Sequence, residues 1–181
     1  FRVWEQFRAD GYALLAALLA RPPSAELLRW LQQLELAETD NSVMHEAWSV
    51  LQLAAERADE QQVADEYQTL FIGLGRGELI PFASWYLTGF LMEKPLVLLR
   101  ADLQRLGFER DDEVKEPEDH IAALCEVMAM LASPAEDEQD PADDDTQKQF
   151  FNHHLGSWAE RFFVDLQDSH AAHFYSAVGR F

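Results

Sequence analysis

The segment FNHHLGSWAERFFVDL, residues 151–166, has a clear helical pattern. Apolar side chains recur in it at steps of three or four residues: Phe151, Leu155, Trp158, Phe162 and Leu166. Side chains at these steps share one face of an α-helix. The pattern therefore predicts a long aromatic and aliphatic stripe of helical spacing, with its polar side facing solvent.

Helical spacing continues on both sides of this stretch, in residues 43–54, 63–71 and 174–181. A stripe of leucines from Leu96 to Leu106 follows Pro95 and stops at Gly107. Proline suits the first turn of a helix, and glycine suits its left-handed end. Strand-like alternation is almost absent. We therefore predict an all-α protein, a multihelical bundle of about eight to ten helices.

Four segments interrupt the helical pattern: residues 21–24, 73–77, 108–117 and 133–146. Ser24 in the first of them is placed to cap the next helix. The second reads GLGRG, but it lacks the Gly-Lys-Ser/Thr ending of a phosphate-binding loop and no strand precedes it. We interpret it as a sharp turn between helices. The last segment is dense in carboxylates, which indicates a solvated acidic loop.

Composition narrows the classes of partner. The chain has 14 Lys and Arg against 33 Asp and Glu, a net charge of −19. The negative field of this charge repels phosphate backbones, so we expect no nucleic-acid partner. The same charge would attract a basic peptide, or it serves solubility alone. No apolar run is long enough to span a bilayer, and four of the first ten residues are charged. We therefore expect a cytoplasmic protein without stable membrane insertion. The single cysteine, Cys125, lies in an apolar helical pattern and is expected in the core.

Two short segments carry unusual residues. In residues 81–86 and just beyond, Trp85 and Tyr86 start pairs of helical spacing on neighbouring faces, which fits either a cleft or a wide core face. The other segment, residues 116–120, reads EPEDH. It predicts a helix start, with proline in the first turn and the carboxylates of Glu118 and Asp119 at the positive end of the helix dipole.

Neither segment predicts a catalytic group. Asp119 and His120 are adjacent and would point about 100° apart on a helix, so they are not a ready-made dyad. A protonated His120 would also be disfavoured at a helix N-terminus. The histidines at 153, 154, 170 and 173 lack the spacing of known zinc motifs, so we predict no metal site.

Five segments together, in order, resemble those of the TorD/DmsD/NarJ family, chaperones that escort molybdoenzyme precursors. They are YQTLFIG (67–73), PFASWY (81–86), EPEDHI (116–121), FNHHLGSW (151–158) and AHFY (172–175). The resemblance runs from about Phe7 to Phe181. It implies one all-helical TorD-like domain over residues 1–181, with an N-terminal lobe at about 1–107, a hinge at 108–117 and a C-terminal lobe at 118–181. It also implies a monomer or a domain-swapped homodimer.

The resemblance further implies a chaperone, not an enzyme, with no cofactor of its own. It would bind the twin-arginine signal peptide and the apo form of a molybdoenzyme, such as an N-oxide or sulfoxide reductase or a formate dehydrogenase, until cofactor insertion. By position, the peptide-binding residues are Pro81, Ser84, Trp85, Tyr86, Asp119 and His120, and the hinge residues are Glu116, Pro117 and Glu118.

Two alternatives from other functional classes stay open. One is a helical nucleotide-binding or metal-dependent hydrolase that uses Asp119 and His120. The other is a scaffold that docks a basic partner through the acidic loop at residues 136–145.

Overall fold

A computed structural model describes residues 2–36, 42–111, 113–133 and 141–181. These residues contain ten α-helices and no strand, which confirms the all-α prediction. The helices are α1 (Arg2–Ala20), α2 (Ala25–Gln32), α3 (Ser42–Glu56), α4 (Glu60–Tyr67), α5 (Ala83–Thr88), α6 (Lys94–Arg105), α7 (Ile121–Ala132), α8 (Asp144–His154), α9 (Ala159–Asp168) and α10 (Phe174–Arg180). A π-helical turn, Gln68–Ile72, extends α4. Residues 134–140 of the predicted acidic loop and Asp112 of the predicted hinge lie outside the described residues.

The chain forms two compact units. The first unit comprises Phe1–Ala20 and Pro81–Glu160, and in it α1 packs mainly against α7. Eight of the twelve residues of α7 are buried, so this helix is covered on most sides. That explains its nearly continuous apolar sequence, IAALCEVMAMLA, because a helix that is apolar all round must lie inside. Cys125 is one of these buried residues, as predicted, and burial raises the pKa of its thiol to about 12.

The second unit comprises Arg21–Ile80 and Arg161–Phe181. In it α2 packs on α3, and α10 packs on α3 and α4. The Glu66 carboxylate of α4 accepts the backbone N–H groups of three successive residues at the start of α10, His173, Phe174 and Tyr175, at 2.8, 3.1 and 2.7 Å. A carboxylate from another helix therefore caps α10, where the helix dipole favours negative charge.

The compact units divide the chain at other places than the predicted lobes do. The first 20 residues group with residues 81–160, whereas the predicted lobes separate residues 1–107 from 118–181. The contacts of α1 with α7 link the two predicted lobes. The lobes, the hinge and the exchange of lobes between two copies stay predictions.

Several helix ends follow the local signals of the sequence. The Ser24 hydroxyl accepts the N–H of Leu27 at 3.2 Å and so caps α2, as predicted. Gly107, after α6, has φ +81°, and the next N–H bonds back to Leu103 at 2.9 Å, the expected left-handed helix end. In the GLGRG turn, Gly73 has φ +63°, and a Cβ there would lie 2.0 Å from the Arg76 carbonyl oxygen. The predicted sharp turn is confirmed.

Residues 151–166 do not form one continuous helix. Helix α8 ends at His154, residues 155–158 form a turn, and α9 begins at Ala159. The Phe151 carbonyl accepts both the N–H of Leu155 and that of Gly156, at 2.8 Å each, which tightens the chain and ends α8. The stripe is nevertheless buried from Leu155 onward, and only Phe151 lies at the surface. Helical spacing thus predicted burial correctly across a break that spacing alone does not reveal.

No helix in the described part of the chain is both long and apolar enough to cross a bilayer.

Candidate functional site

The two candidate segments lie side by side in the first unit, although 35 residues separate Ser84 from Asp119. The Pro81 carbonyl accepts the N–H of Ile121 at 2.8 Å, and the Asp119 carbonyl accepts the N–H of Ala83 at 3.0 Å. These two bonds form a short antiparallel bridge. The predicted peptide-binding residues at 81–86 and at 119–120 are therefore brought together at the N-terminal ends of α5 and α7.

Asp119 caps α5. Its Oδ2 accepts the N–H of Ser84, the second residue of α5, at 2.8 Å, and the side chain is only 1% exposed. This corrects the expectation that Asp119 serves the helix that follows it: the antiparallel bridge turns its carboxylate towards α5 instead. Among the described residues, Oδ1 of Asp119 has no hydrogen-bond partner. A buried acceptor in this state costs roughly 1–3 kcal/mol, so a donor that reached Oδ1 would be favoured.

His120 caps α7. Its Nδ1 accepts the N–H of Ala122 at 3.1 Å, so Nδ1 must be unprotonated, and its ring meets that of Phe82 edge-on at 4.9 Å. Burial lowers the pKa of His120 to about 4, although the charges of Glu116 and Asp119 oppose the shift. The imidazole is therefore neutral at pH 7. The expected conflict between a protonated His120 and the helix dipole does not arise.

Glu118 does not cap a helix as predicted, because α7 begins only at Ile121. Both of its carboxylate oxygens accept from Nε of Arg100 at 3.1 Å, and Nη2 of Arg100 adds a bond of 2.9 Å. Nη1 of Arg110 lies 3.7 Å from the same carboxylate. Partial burial, the largest single influence, would raise the pKa of Glu118. The hydrogen bonds from Arg100, a backbone hydrogen bond and the charges of Arg100 and Arg110 together outweigh it, so the pKa is lowered. No signal in the sequence connects these two arginines with Glu118.

Trp85 and Tyr86 are both half-buried, a state between the two alternatives that their spacing left open. The Tyr86 ring lies against Trp158, with 5.3 Å between ring centres. Beyond them the chain exposes a set of large apolar side chains on α5, α6 and the loop that joins them. We call it the apolar loop surface: Leu87, Phe90, Leu91, Met92, Val97 and Leu98. Spacing along the sequence did not distinguish these residues from core residues.

The backbone holds the loop of this surface in an unusual conformation. Met92 has φ +59°, in the left-handed region that residues other than glycine, asparagine and aspartate seldom adopt. Gly89, which ends α5, has φ +81°. Ser84 Oγ accepts the N–H of Glu93 at 3.3 Å and ties the end of the loop to α5. Exposed apolar surface is a feature of binding sites in proteins.

The contacts of Asp119 and His120 give no support to acid–base chemistry. Oδ2 of Asp119 and Nδ1 of His120 each accept from the backbone of a different helix. Both of these atoms therefore serve as helix caps, and the pair holds the starts of α5 and α7 in place. A separate groove of about 660 Å³ lies in the second unit among α3, α4 and α10, and none of the predicted peptide-binding residues lines it.

Comparison with known proteins identifies relatives of this chain. Three chaperone proteins TorD resemble the chain over nearly its whole length. That of Vibrio cholerae serotype O1 (strain M66-2) is 28% identical, and the match covers 99% of this chain and 88% of that protein. For Shewanella loihica the identity is 28% with 97% and 87% covered, and for Aliivibrio salmonicida it is 26% with 96% and 88%. The family model described as nitrate reductase delta subunit matches residues 37–164. The chain therefore belongs to the nitrate reductase delta subunit family, the family of the TorD chaperones.

Proposed function

We propose that this protein is a chaperone of molybdoenzyme maturation, which binds the twin-arginine signal peptide and the apo form of its client until the cofactor is inserted. The client is an oxidoreductase such as an N-oxide or sulfoxide reductase or a formate dehydrogenase. The protein acts by binding alone and catalyses no reaction. Its membership of the TorD family supports a role as a chaperone of molybdoenzyme maturation.

The observation that carries the proposal is the position of the two capping residues, Asp119 and His120, beside an exposed apolar surface. Asp119 and His120 cap α5 and α7 and fix the start of α5, which carries Trp85 and Tyr86. The apolar loop surface continues directly from α5. A signal peptide contains an apolar stretch, and such a surface buries it at a gain of about 25 cal/mol per Å² removed from water.

Exposed carboxylates near Asp119 and His120 could pair with the arginines of the peptide. Glu93 is exposed at the end of the loop, and Glu116 is exposed close enough to His120 for its charge to affect the imidazole. Glu118 is already bound to Arg100, so it is not available to a peptide without exchange of that pair. Asp119 would act mainly as a positioning residue, because its carboxylate is buried and holds α5.

Calorimetric titration tests the proposal with twin-arginine signal peptides from several molybdoenzymes, each compared with the same peptide in which both arginines are glutamine. We expect micromolar binding that is selective for one peptide, weakens with salt and falls when the arginines are replaced. Trp85→Ala should weaken binding at least tenfold, whereas Trp30→Ala, an exposed tryptophan of α2, should leave it unchanged. Failure of every peptide to bind folded protein would refute the function, and equal affinities of the two variants would refute the site.

Two variants of Asp119 distinguish a role in positioning α5 from direct contact with the peptide. Asp119→Asn keeps an oxygen that can accept the N–H of Ser84 but removes the charge, whereas Asp119→Ala removes both. If the residue positions α5, the asparagine variant keeps most of the affinity and the alanine variant loses it. Equal losses in the two variants would instead indicate that the charge itself contacts the peptide.

A further inference from the structure

Three potential metal ligands meet in the first unit where the last turn of α8 lies against α6. Oδ2 of Asp102 is 2.7 Å from Nε2 of His154 and 3.9 Å from Nδ1 of His153. All three ligand atoms lie within 4.8 Å of one another. His154 is buried, Asp102 is half-buried and His153 is exposed, so the cluster is closed on one side and open to solvent on the other.

Two adjacent histidines reach one point because they use different ring atoms. Neighbouring residues of a helix point about 100° apart, and the two rings here stand at 89° with 6.0 Å between their centres. His154 approaches Asp102 with its far nitrogen, Nε2, whereas His153 approaches with its near nitrogen, Nδ1. That difference in reach compensates for the divergence of the side chains.

The distances fit a small tetrahedral ion. Bonds of about 2.0–2.2 Å from Zn²⁺ to nitrogen and oxygen place neighbouring ligand atoms roughly 3.4 Å apart. The two contacts of Oδ2 lie on either side of that value, at 2.7 and 3.9 Å. Less than 1 Å of adjustment in each is needed, and His153 is exposed, so its ring lies at the open side of the cluster. Arg105 contacts the other oxygen of Asp102, Oδ1, at 3.3 Å and is itself exposed, so it does not occupy the site.

We propose that Asp102, His153 and His154 form a binding site for a divalent transition-metal ion of the Zn²⁺ class, with the remaining position open to water. Two imidazoles and one carboxylate are ligands that this class of ion accepts. The ion takes the place of the hydrogen bond between His154 and Asp102 and joins α6 to the end of α8. The site is independent of the peptide-binding proposal.

This proposal departs from the sequence-based prediction that the chain has no metal site. That prediction considered only the spacing of histidines along the chain, and the missing ligand lies 51 residues before His153. Only the packing of α6 against α8 brings Asp102 into reach.

Zinc titration of the full chain, free of any affinity tag and treated beforehand with a chelator, tests the site. Because His153 is exposed, His153→Ala should leave the fold intact, which circular dichroism checks. His170→Ala removes an exposed histidine outside the cluster and serves as the matched control. We expect one Zn²⁺ per chain for the wild type and for His170→Ala, and at least a tenfold weaker affinity for His153→Ala.

Binding of Co²⁺ tests the coordination geometry of the site. Co²⁺ should give the intense visible absorption of a four-coordinate site with wild type and with His170→Ala, and that band should be lost in His153→Ala. Zinc should raise the melting temperature of the first two proteins only. Equal zinc affinities for all three proteins, or a matching loss in His170→Ala, would overturn the proposal.

Discussion

Lowering the pH from 7 to 4 should remove a defined share of the stability of this protein through His120. In the folded chain the imidazole accepts the N–H of Ala122 and is buried, so protonation both breaks the cap of α7 and places a charge at the wrong end of the helix dipole. In the unfolded chain the imidazole is hydrated and ionises normally. The folded state thus binds this proton more weakly than the unfolded state does.

The size of the effect follows from the two pKa values. The pKa of His120 falls from 6.5 to about 4 on folding. The stabilisation is fully present above pH 6.5 and is lost as the pH falls towards 4, because the unfolded chain takes up the proton first. At about 1.36 kcal/mol for each pKa unit, the whole loss is about 3 kcal/mol, of which about 2 kcal/mol has occurred by pH 5.

Chemical denaturation at a series of pH values measures this loss when wild type is compared with His120→Asn. Asparagine is also a good helix cap, but it does not ionise. The comparison is needed because the pKa of His154 is also lowered from 6.5, and that group titrates in both proteins. Near pH 7 the variant should be less stable by about 1 kcal/mol, since it loses the edge-on contact with Phe82.

The difference between the two proteins should then shrink and reverse as the pH falls to 5. Parallel stability curves for wild type and His120→Asn between pH 7 and 4 would refute the reasoning. A nuclear magnetic resonance titration that found His120 protonated near pH 6.5 in the folded protein would refute it as well.

Two further perturbations test the second unit. Glu66→Ala removes the acceptor of three N–H groups at the start of α10 and should lower the free energy of unfolding by about 2 kcal/mol, whereas Glu66→Gln should keep part of the stability. Denaturation curves measure both variants. An unchanged midpoint for the alanine variant would contradict the capping role. Gly73→Ala should destabilise more than Gly75→Ala, because both glycines have positive φ but only at Gly73 would a Cβ collide with the backbone. Equal melting temperatures of the two glycine variants would show that the collision is relieved.

Much of the fold could be predicted from local signals because those signals depend on neighbours in sequence. The spacing of apolar residues predicted helices and buried positions, Ser24 predicted a cap, and Gly107 predicted a helix end. The break after His154 could not be predicted in this way. At this break the Phe151 carbonyl accepts two backbone N–H groups, and the indole N–H of Trp158 bonds to the His154 carbonyl. Neither contact changes the spacing of the apolar residues, so the spacing does not reveal the break.

From the residues alone we could predict an acidic all-helical chain, most of the buried positions and the segments that form the candidate site. The contacts of these segments depend on the tertiary fold: Asp119 caps α5 and not α7, Glu118 binds Arg100, and His120 stays neutral. Helical faces can be predicted from the sequence because residues three or four apart lie on the same side of a helix. The partner of a carboxylate or an imidazole cannot be predicted in this way. It is a helix end or a guanidinium from a distant part of the chain, which only the fold brings within about 3 Å.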